Sequence, residues 1–282
     1  MKTIPIILVT VNWVLPLAYL ALLIDYGATF ILRTRARGPI RWLACVAVAH
    51  GVYLALVGAE YGWQVVDGAY MVPSVLALLM AVVYLIIEVA TNDRRTGAFV
   101  LCFAFLAQYT SSMFFQRVGA ALAEGGGAAV SQWQQAHVIP AALAYTSLAL
   151  AGVYGLLHVL AGRSLKRRSV GIFFDRLPPL DTLARMTWWA LVAGFVFLTV
   201  TIVVTPLLLA GGAGAAGGQG LEAKILVKIG VGVLAWAVYA AAVIGKLVGK
   251  WSPQRVSVVA IVGLLVVVVL LVASALLTRG SV

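Results

Sequence analysis

Three histidines, His50, His137 and His158, carry most of the metal-ligating capacity of this chain. His137 lies in Gln135-Ala-His-Val-Ile-Pro-Ala-Ala-Leu-Ala-Tyr145, at the mouth of a long apolar run. A neutral imidazole placed at a membrane surface is a natural ligand for iron or another metal. His50 stands ten residues into an earlier apolar run, near its middle, where a polar side chain is costly and usually functional. The competing reading is a neutral ring hydrogen-bonded to a neighbouring helix. His158 follows His137 by 21 residues on the same run, about 31 Å along a helix, and reads as a snorkelling residue at the inner boundary. No two imidazoles share one depth on opposing helices, so iron held between two histidines of this chain is not expected.

Lys224 and Lys228, four apart, share one helical face near an outer boundary. They suit an anionic group or a snorkelled position equally. Asp25 and Glu88 fall within a turn or two of the inner surface, in reach of Arg33 or Arg94. Cys45 and Cys102 lie inside apolar runs without Cys-x-x-Cys spacing and are expected to be buried packing residues. No Ser-His-Asp set, His-x-x-x-His pair or cysteine cluster occurs. The tract Gly211–Gly220 has no basic or hydroxyl residue that would make it a phosphate loop, and it reads as a linker. An enzyme is not expected.

The runs that position these residues are transmembrane. The chain is 63% hydrophobic and 10% charged, with a mean hydropathy of +1.06, outside the range of soluble domains. Apolar segments long enough to cross about 30 Å of hydrocarbon recur throughout, and in lipid they must be helices. The expected spans are Pro5–Leu32, Ile40–Glu60, Ala69–Val89, Ala98–Phe115, Val138–Leu160, Met186–Ala210, Leu221–Val243 and Val256–Leu277. The sequence thus predicts an all-α, polytopic membrane protein of about eight helices. It forms a single integral membrane domain over residues 1–282 with no cleavable signal.

Positive charge orients it. With both termini outside, the inner connections hold Arg33, Arg35, Arg37, Arg41, Arg94, Arg95, Arg163, Lys166, Arg167, Arg168, Arg176, Arg185, Lys246, Lys250 and Arg255. Those are fifteen of the 20 Lys and Arg residues. The net charge of +11 is therefore mainly a topology signal, with contact to anionic lipid, and nucleic acid is not an expected partner. The longest inner connection, residues 162–185, contains Asp175-Arg-Leu-Pro-Pro-Leu-Asp181. Asp181 is expected to cap the helix that follows, with the two prolines fixing its approach. Docking of a cytosolic partner on this basic loop is the alternative.

From His137 onward the order of features resembles the CcsA/HemX-like cytochrome c assembly proteins, membrane proteins that handle haem. The resemblance rests on His137-Val-Ile-Pro-Ala-Ala-Leu-Ala-Tyr145, Leu177-Pro-Pro-Leu-Asp181, Gly194-Phe195, and Lys228, Trp236, Tyr239, Lys246 and Trp251. It is best over residues 136–255. It implies haem b as cofactor, His137 as an outer iron ligand and His50 as an intramembrane one. A haem held there would meet Lys224 and Lys228 at its propionates, a reading of the residues themselves, with Met71 or Met113 as the second ligand. The family's Trp-rich outer platform is replaced here by Gly220-Leu-Glu-Ala-Lys-Ile-Leu-Val-Lys228, and its second outer histidine is missing.

Two functions stay open. One is haem handling of the cytochrome c biogenesis type at the outer face of a bacterial inner (plasma) membrane. The other is a non-catalytic structural or regulatory subunit on the same scaffold. Either implies other membrane subunits of a cytochrome c assembly or haem-containing complex as partners. A small-molecule transporter is a weaker third class, because the spans are broken only at Asn12 and Pro16, Pro73 and Pro206.

Overall fold

Eight helices account for nearly all of the structure, a computed structural model that describes residues 6–32, 39–62, 71–91, 93–123, 132–166, 176–208 and 223–277. They are α1 (Ile6–Leu32), α2 (Pro39–Tyr61), α3 (Val72–Thr91), α4 (Gly97–Ala123), α5 (Gln132–Lys166), α6 (Leu180–Leu208), α7 (Ala223–Leu247) and α8 (Pro253–Leu277). Seven contain stretches long and apolar enough to cross a membrane. The eighth, α8, has 25 residues, a length of about 37 Å. The chain is a multi-pass membrane protein, as the apolar runs predict. The glycine tract 211–220, the stretch 124–131 and the basic triplet's Arg167 and Arg168 lie outside the described residues.

Two compact units divide the helices. In the first, α1 packs on α2 and α4, and α3 packs on the same two neighbours, so the four helices close into a ring. Its core is Leu8, Leu15, Tyr53, Leu54, Val57, Met71 and Phe115. α2 ends at Gly62, whose φ of 90° is a left-handed conformation that costs glycine nothing. Arg176 and Leu177 also belong to this unit. The Arg176 guanidinium donates to the Phe30 carbonyl in the last turn of α1, and Arg95 Nη1 donates to Leu177 O at 3.3 Å. Arg176 thereby fills one of the carbonyl groups that a helix end leaves without a partner.

At the same end of α1, Glu88 is fully buried. Its Oε2 accepts a 2.5 Å bond from the Tyr26 hydroxyl, and its Oε1 pairs with Arg94 Nε at 2.6 Å. This is the Arg94 contact expected from the sequence. Asp25, by contrast, is exposed on α1. The rings of Tyr26 and Tyr84 meet edge to face at 6.0 Å over Gly97. A Cβ on Gly97 would lie 2.3 Å from Tyr26 Cδ1 and 2.5 Å from Tyr84 Oη.

In the second unit α5 packs along α6 and α8, and α7 packs on α6 and α8. Its core is rich in alanine: Ala144, Ala151, Ala235, Ala242 and Ala260 join Leu148, Leu191, Leu198, Tyr239 and Val256. Small residues let helix backbones approach closely where lipid offers no hydrophobic driving force. α5 runs for 35 residues and starts at Gln132, so Pro140 lies inside the helix rather than at its start. Pro179, not Asp181, occupies the N-cap of α6, because its carbonyl accepts the Leu183 N–H at 3.1 Å. Asp181 instead sits in the first turn, where a carboxylate favours the helix dipole.

Two more expectations are corrected. Cys45 is exposed on α2 and Cys102 only half-buried, since an apolar thiol suits a lipid-facing surface as well as a core. His158 does not snorkel: it is buried, and its Nδ1 and the Ser257 hydroxyl of α8 are 2.8 Å apart.

Replacing Gly97 by valine should drive the Tyr26 and Tyr84 rings apart and cost about 2 kcal/mol, in the range of core overpacking. Thermal unfolding of the purified protein in detergent measures it, and an unchanged midpoint would show that the rings yield freely.

Candidate functional site

Polar residues of the first unit form one connected row through its four helices. The Tyr19 hydroxyl and His50 Nδ1 are 2.9 Å apart, and His50 Nε2 is 2.8 Å from Ser74 Oγ. Ser74 Oγ donates to Gln108 Oε1 at 2.7 Å, and Gln108 Nε2 donates to Ser112 Oγ at 3.1 Å. Ser112 Oγ donates to the Asn12 carbonyl at 2.8 Å. Asn12 is held from both sides: its Oδ1 accepts from Tyr53 at 3.1 Å and its Nδ2 donates to Ser112 O at 3.3 Å.

Donor counting fixes the direction of this row. Each hydroxyl has one proton. Ser74 spends its proton on Gln108 and must accept from His50 Nε2–H. His50 is then the neutral tautomer with Nδ1 free to accept, so Tyr19 donates to it. The last acceptor has a structural origin. Pro16 has no N–H, so the Asn12 carbonyl four residues earlier loses its helical partner. The Ser112 hydroxyl supplies the replacement.

In this arrangement the fully buried His50 has no free lone pair, since one nitrogen accepts and the other donates. Met71 is buried too, with the Ser111 hydroxyl 3.9 Å from its sulfur, whereas Met113 is 53% exposed on α4.

The second unit places His137 differently. It lies five residues into α5, just ahead of the stretch Ile139–Lys166 that spans the membrane, and it is half-buried. Thr205 Oγ1 is 3.1 Å from His137 Nδ1 and donates its own proton to the Thr201 carbonyl at 2.8 Å. The threonine must therefore accept from Nδ1–H. On this count the ring proton sits on Nδ1, where the Thr205 hydroxyl and the Thr201 carbonyl together hold it. Burial lowers the His137 pKa from the ordinary histidine value, against a smaller raising effect of a backbone hydrogen bond at Thr201. Pro140 on α5 and Pro206 on α6 interrupt the two helices close to this contact.

Deeper in the same unit, Trp236 of α7 stacks on Phe195 of α6 with centroids 5.8 Å apart, and its indole N–H donates to Thr199 Oγ1 at 2.9 Å. Tyr239 packs on Gly263 of α8, and Trp251 folds back over Gly245 of α7. Lys224 and Lys228 lie in the first two turns of α7, but their side chains fall outside the described residues, as does that of Trp133. Among the described residues no group of three His, Cys, Asp or Glu gathers as a metal site.

The structure thus separates the residues that the sequence nominated. His50, Met71 and Met113 belong to the first unit, and His137, Lys224 and Lys228 to the second. Sequence reasoning missed Thr201 and Thr205, and also Tyr19, Ser74, Gln108 and Ser112. Their signal was present as hydroxyls and an amide inside apolar runs, where each needs a partner.

The family model for cytochrome c assembly proteins matches residues 68–281, a longer stretch than the resemblance at 136–255 suggests. This chain belongs to that cytochrome c assembly family, and its role lies in cytochrome c biogenesis, where haem is handled among membrane partners and lipid. No curated protein and no solved structure matches the chain.

The Pro16 gap gives a test in which a second mutation helps rather than harms. Ser112→Ala should cost about 1–3 kcal/mol by orphaning the Asn12 carbonyl. Adding Pro16→Ala should recover part of that loss by restoring the helical N–H. Additive losses in the double variant, read by thermal unfolding, would refute the compensation.

Proposed function

We propose that this chain binds haem b at the outer face of a bacterial plasma membrane through His137 and presents it during cytochrome c assembly. It does so without turnover chemistry of its own. The observation that carries the reading is the state of the imidazole. Its Nδ1–H is spent on a threonine hydroxyl that is itself fixed to a backbone carbonyl. Ligating histidines are oriented in this way, with the other ring nitrogen turned to the metal. The lowered pKa favours the neutral, ligating form.

His137 is the iron ligand in this reading, and Lys224 and Lys228 pair with the propionates from the start of α7. His50 serves the first unit as an interhelical hydrogen-bonding group, because both of its nitrogens are engaged. Met113, on an exposed face of α4, and Met71, enclosed in the core, are given no iron. The Lys and Arg distribution supports an orientation with the start of α5 outside. The HemX-like branch fits the eight-helix layout. Partner subunits of the assembly machinery would receive the haem.

The test is the absorption spectrum of the detergent-purified protein, oxidised and reduced, with a pyridine haemochrome assay. The expected result is a Soret band with roughly one haem per chain by histidine ligation, lost in His137→Ala. Absence of haem even after its addition would end the reading and leave a structural or regulatory subunit.

Thr205→Val should weaken haem affinity by about tenfold, the usual cost of removing a group that orients a ligand, and Thr205→Ser should restore it. Because the His137 pKa is lowered, ligation should persist as pH falls below the ordinary value of about 6.5. A spectrophotometric pH titration reads this, and loss of the band above that value would contradict it.

A further inference from the structure

At the opposite end of the second unit from His137, a cavity of about 410 Å³ is lined by Asp181, Ala184, Arg185, Trp188, Lys246, Pro253 and Val256. It lies between the start of α6, the end of α7 and the start of α8. From Arg185 to Thr205 is 20 residues along α6, about 30 Å, so the cavity and His137 are a bilayer's thickness apart. We propose that this cavity is a binding site for the headgroup of an anionic, hydroxyl-bearing phospholipid of the inner leaflet.

Charge, depth and flanking surface point the same way. The two cationic side chains in the wall outnumber the one carboxylate, and the adjoining turn and first turn of α8 add Lys250 and Arg255 with no further acid. A phosphodiester is the anion that meets such a cluster at a membrane boundary, and cations between membrane helices on the cytoplasmic side hold acidic headgroups in this way. Asp181, also in the wall, can only accept hydrogen bonds when ionised. It suits the hydroxyls of a headgroup and opposes a bare phosphate.

The indole of Trp188 gives the wall an amphipathic surface typical of interfacial depth. Next to it in sequence Trp189 is 67% exposed, and Ile244, Leu247 and Val248 are exposed at the end of α7. These apolar faces accept acyl chains, which a soluble phosphate compound lacks.

The wall is also built rather than incidental. Lys250 holds a φ of 48°, a left-handed conformation that a non-glycine residue takes at a cost, and it closes the α7–α8 connection. The Trp251 N–H donates to Gly245 O at 3.0 Å, and its indole covers Gly245. This fold-back brings Lys246 and Pro253, from two helices, into the same cavity wall.

The test uses the full chain in bilayers carrying equal shares of phosphatidylglycerol and phosphatidylethanolamine, with bromine on the acyl chains of one or the other. Trp188 fluorescence, taken as the difference between wild type and Trp188→Phe, reports which lipid sits at the cavity. The expected result is several-fold stronger quenching by brominated phosphatidylglycerol. Arg185→Gln with Lys246→Gln should lower that preference by roughly thirtyfold, as expected for two juxtamembrane cations. Arg163→Gln with Lys166→Gln, on the same side but outside the wall, should leave it intact.

Equal quenching by both lipids in wild type would overturn the proposal without any cation variant. So would a preference that survives loss of Arg185 and Lys246. Relief of quenching by millimolar glycerol phosphate would do the same, because the site would then hold soluble phosphate. Haem content is indifferent to all three outcomes, so this proposal and the His137 reading fail separately.

Discussion

A proline at position 16 leaves the Asn12 carbonyl, seven residues into a 27-residue membrane helix, without its helical donor, and the first unit is arranged around that vacancy. Asn12 is buried among its neighbours, and a buried carbonyl left unpaired is costly. Ser112 fills it from α4. Its hydroxyl then needs a donor of its own, which Gln108 supplies one turn away. The requirement passes to Ser74 and on to His50 and Tyr19, so that one missing N–H on α1 enlists side chains from all four helices. Membrane helices have little hydrophobic reason to choose one partner over another. A row of polar groups that can be satisfied in only one register supplies that choice.

The same residue type does different work in the two units. His50 spends both nitrogens on neighbours and is a fastening. His137 spends one, on a threonine already committed to a carbonyl, and keeps a lone pair in reserve. His158 shares its Nδ1 with Ser257 where α5 and α8 meet. Burial alone would have ranked His50 as the most functional of the three. The inventory of donors and acceptors reverses that order.

What the sequence discloses is the part governed by one-dimensional physics. Runs of apolar residues give the helices, and basic residues at their ends give sides, because neither depends on knowing which helix touches which. Glu88 and Arg94 were legible for the same reason, being six residues apart at one boundary. The partners of His50 and His137 were not. Tyr19 and Ser74 reach His50 from two other helices, and Thr205 lies 68 residues from His137. Helix ends misled in a related way. Gln132 to Ala136 is too polar for an apolar run, yet it continues α5, and Pro140 is therefore internal. Asp181 looked like a cap because its side chain suits one, whereas the hydrogen bonds begin two residues earlier at Pro179.

The row through the first unit ends on a peptide carbonyl, and that ending decides what the row is unable to do. A chain of hydrogen-bonded groups conducts protons only if it can be reset, every member turning around to donate the other way. Serine, tyrosine and imidazole can all turn, but the Asn12 carbonyl has no proton to give in return. The reversed state does not exist, and a proton entering at Tyr19 would find no exit. A line of six polar groups across the interior of a bundle therefore behaves as an insulator. The unit has the polar contacts that fix its helices in place without offering a relay that can be reset.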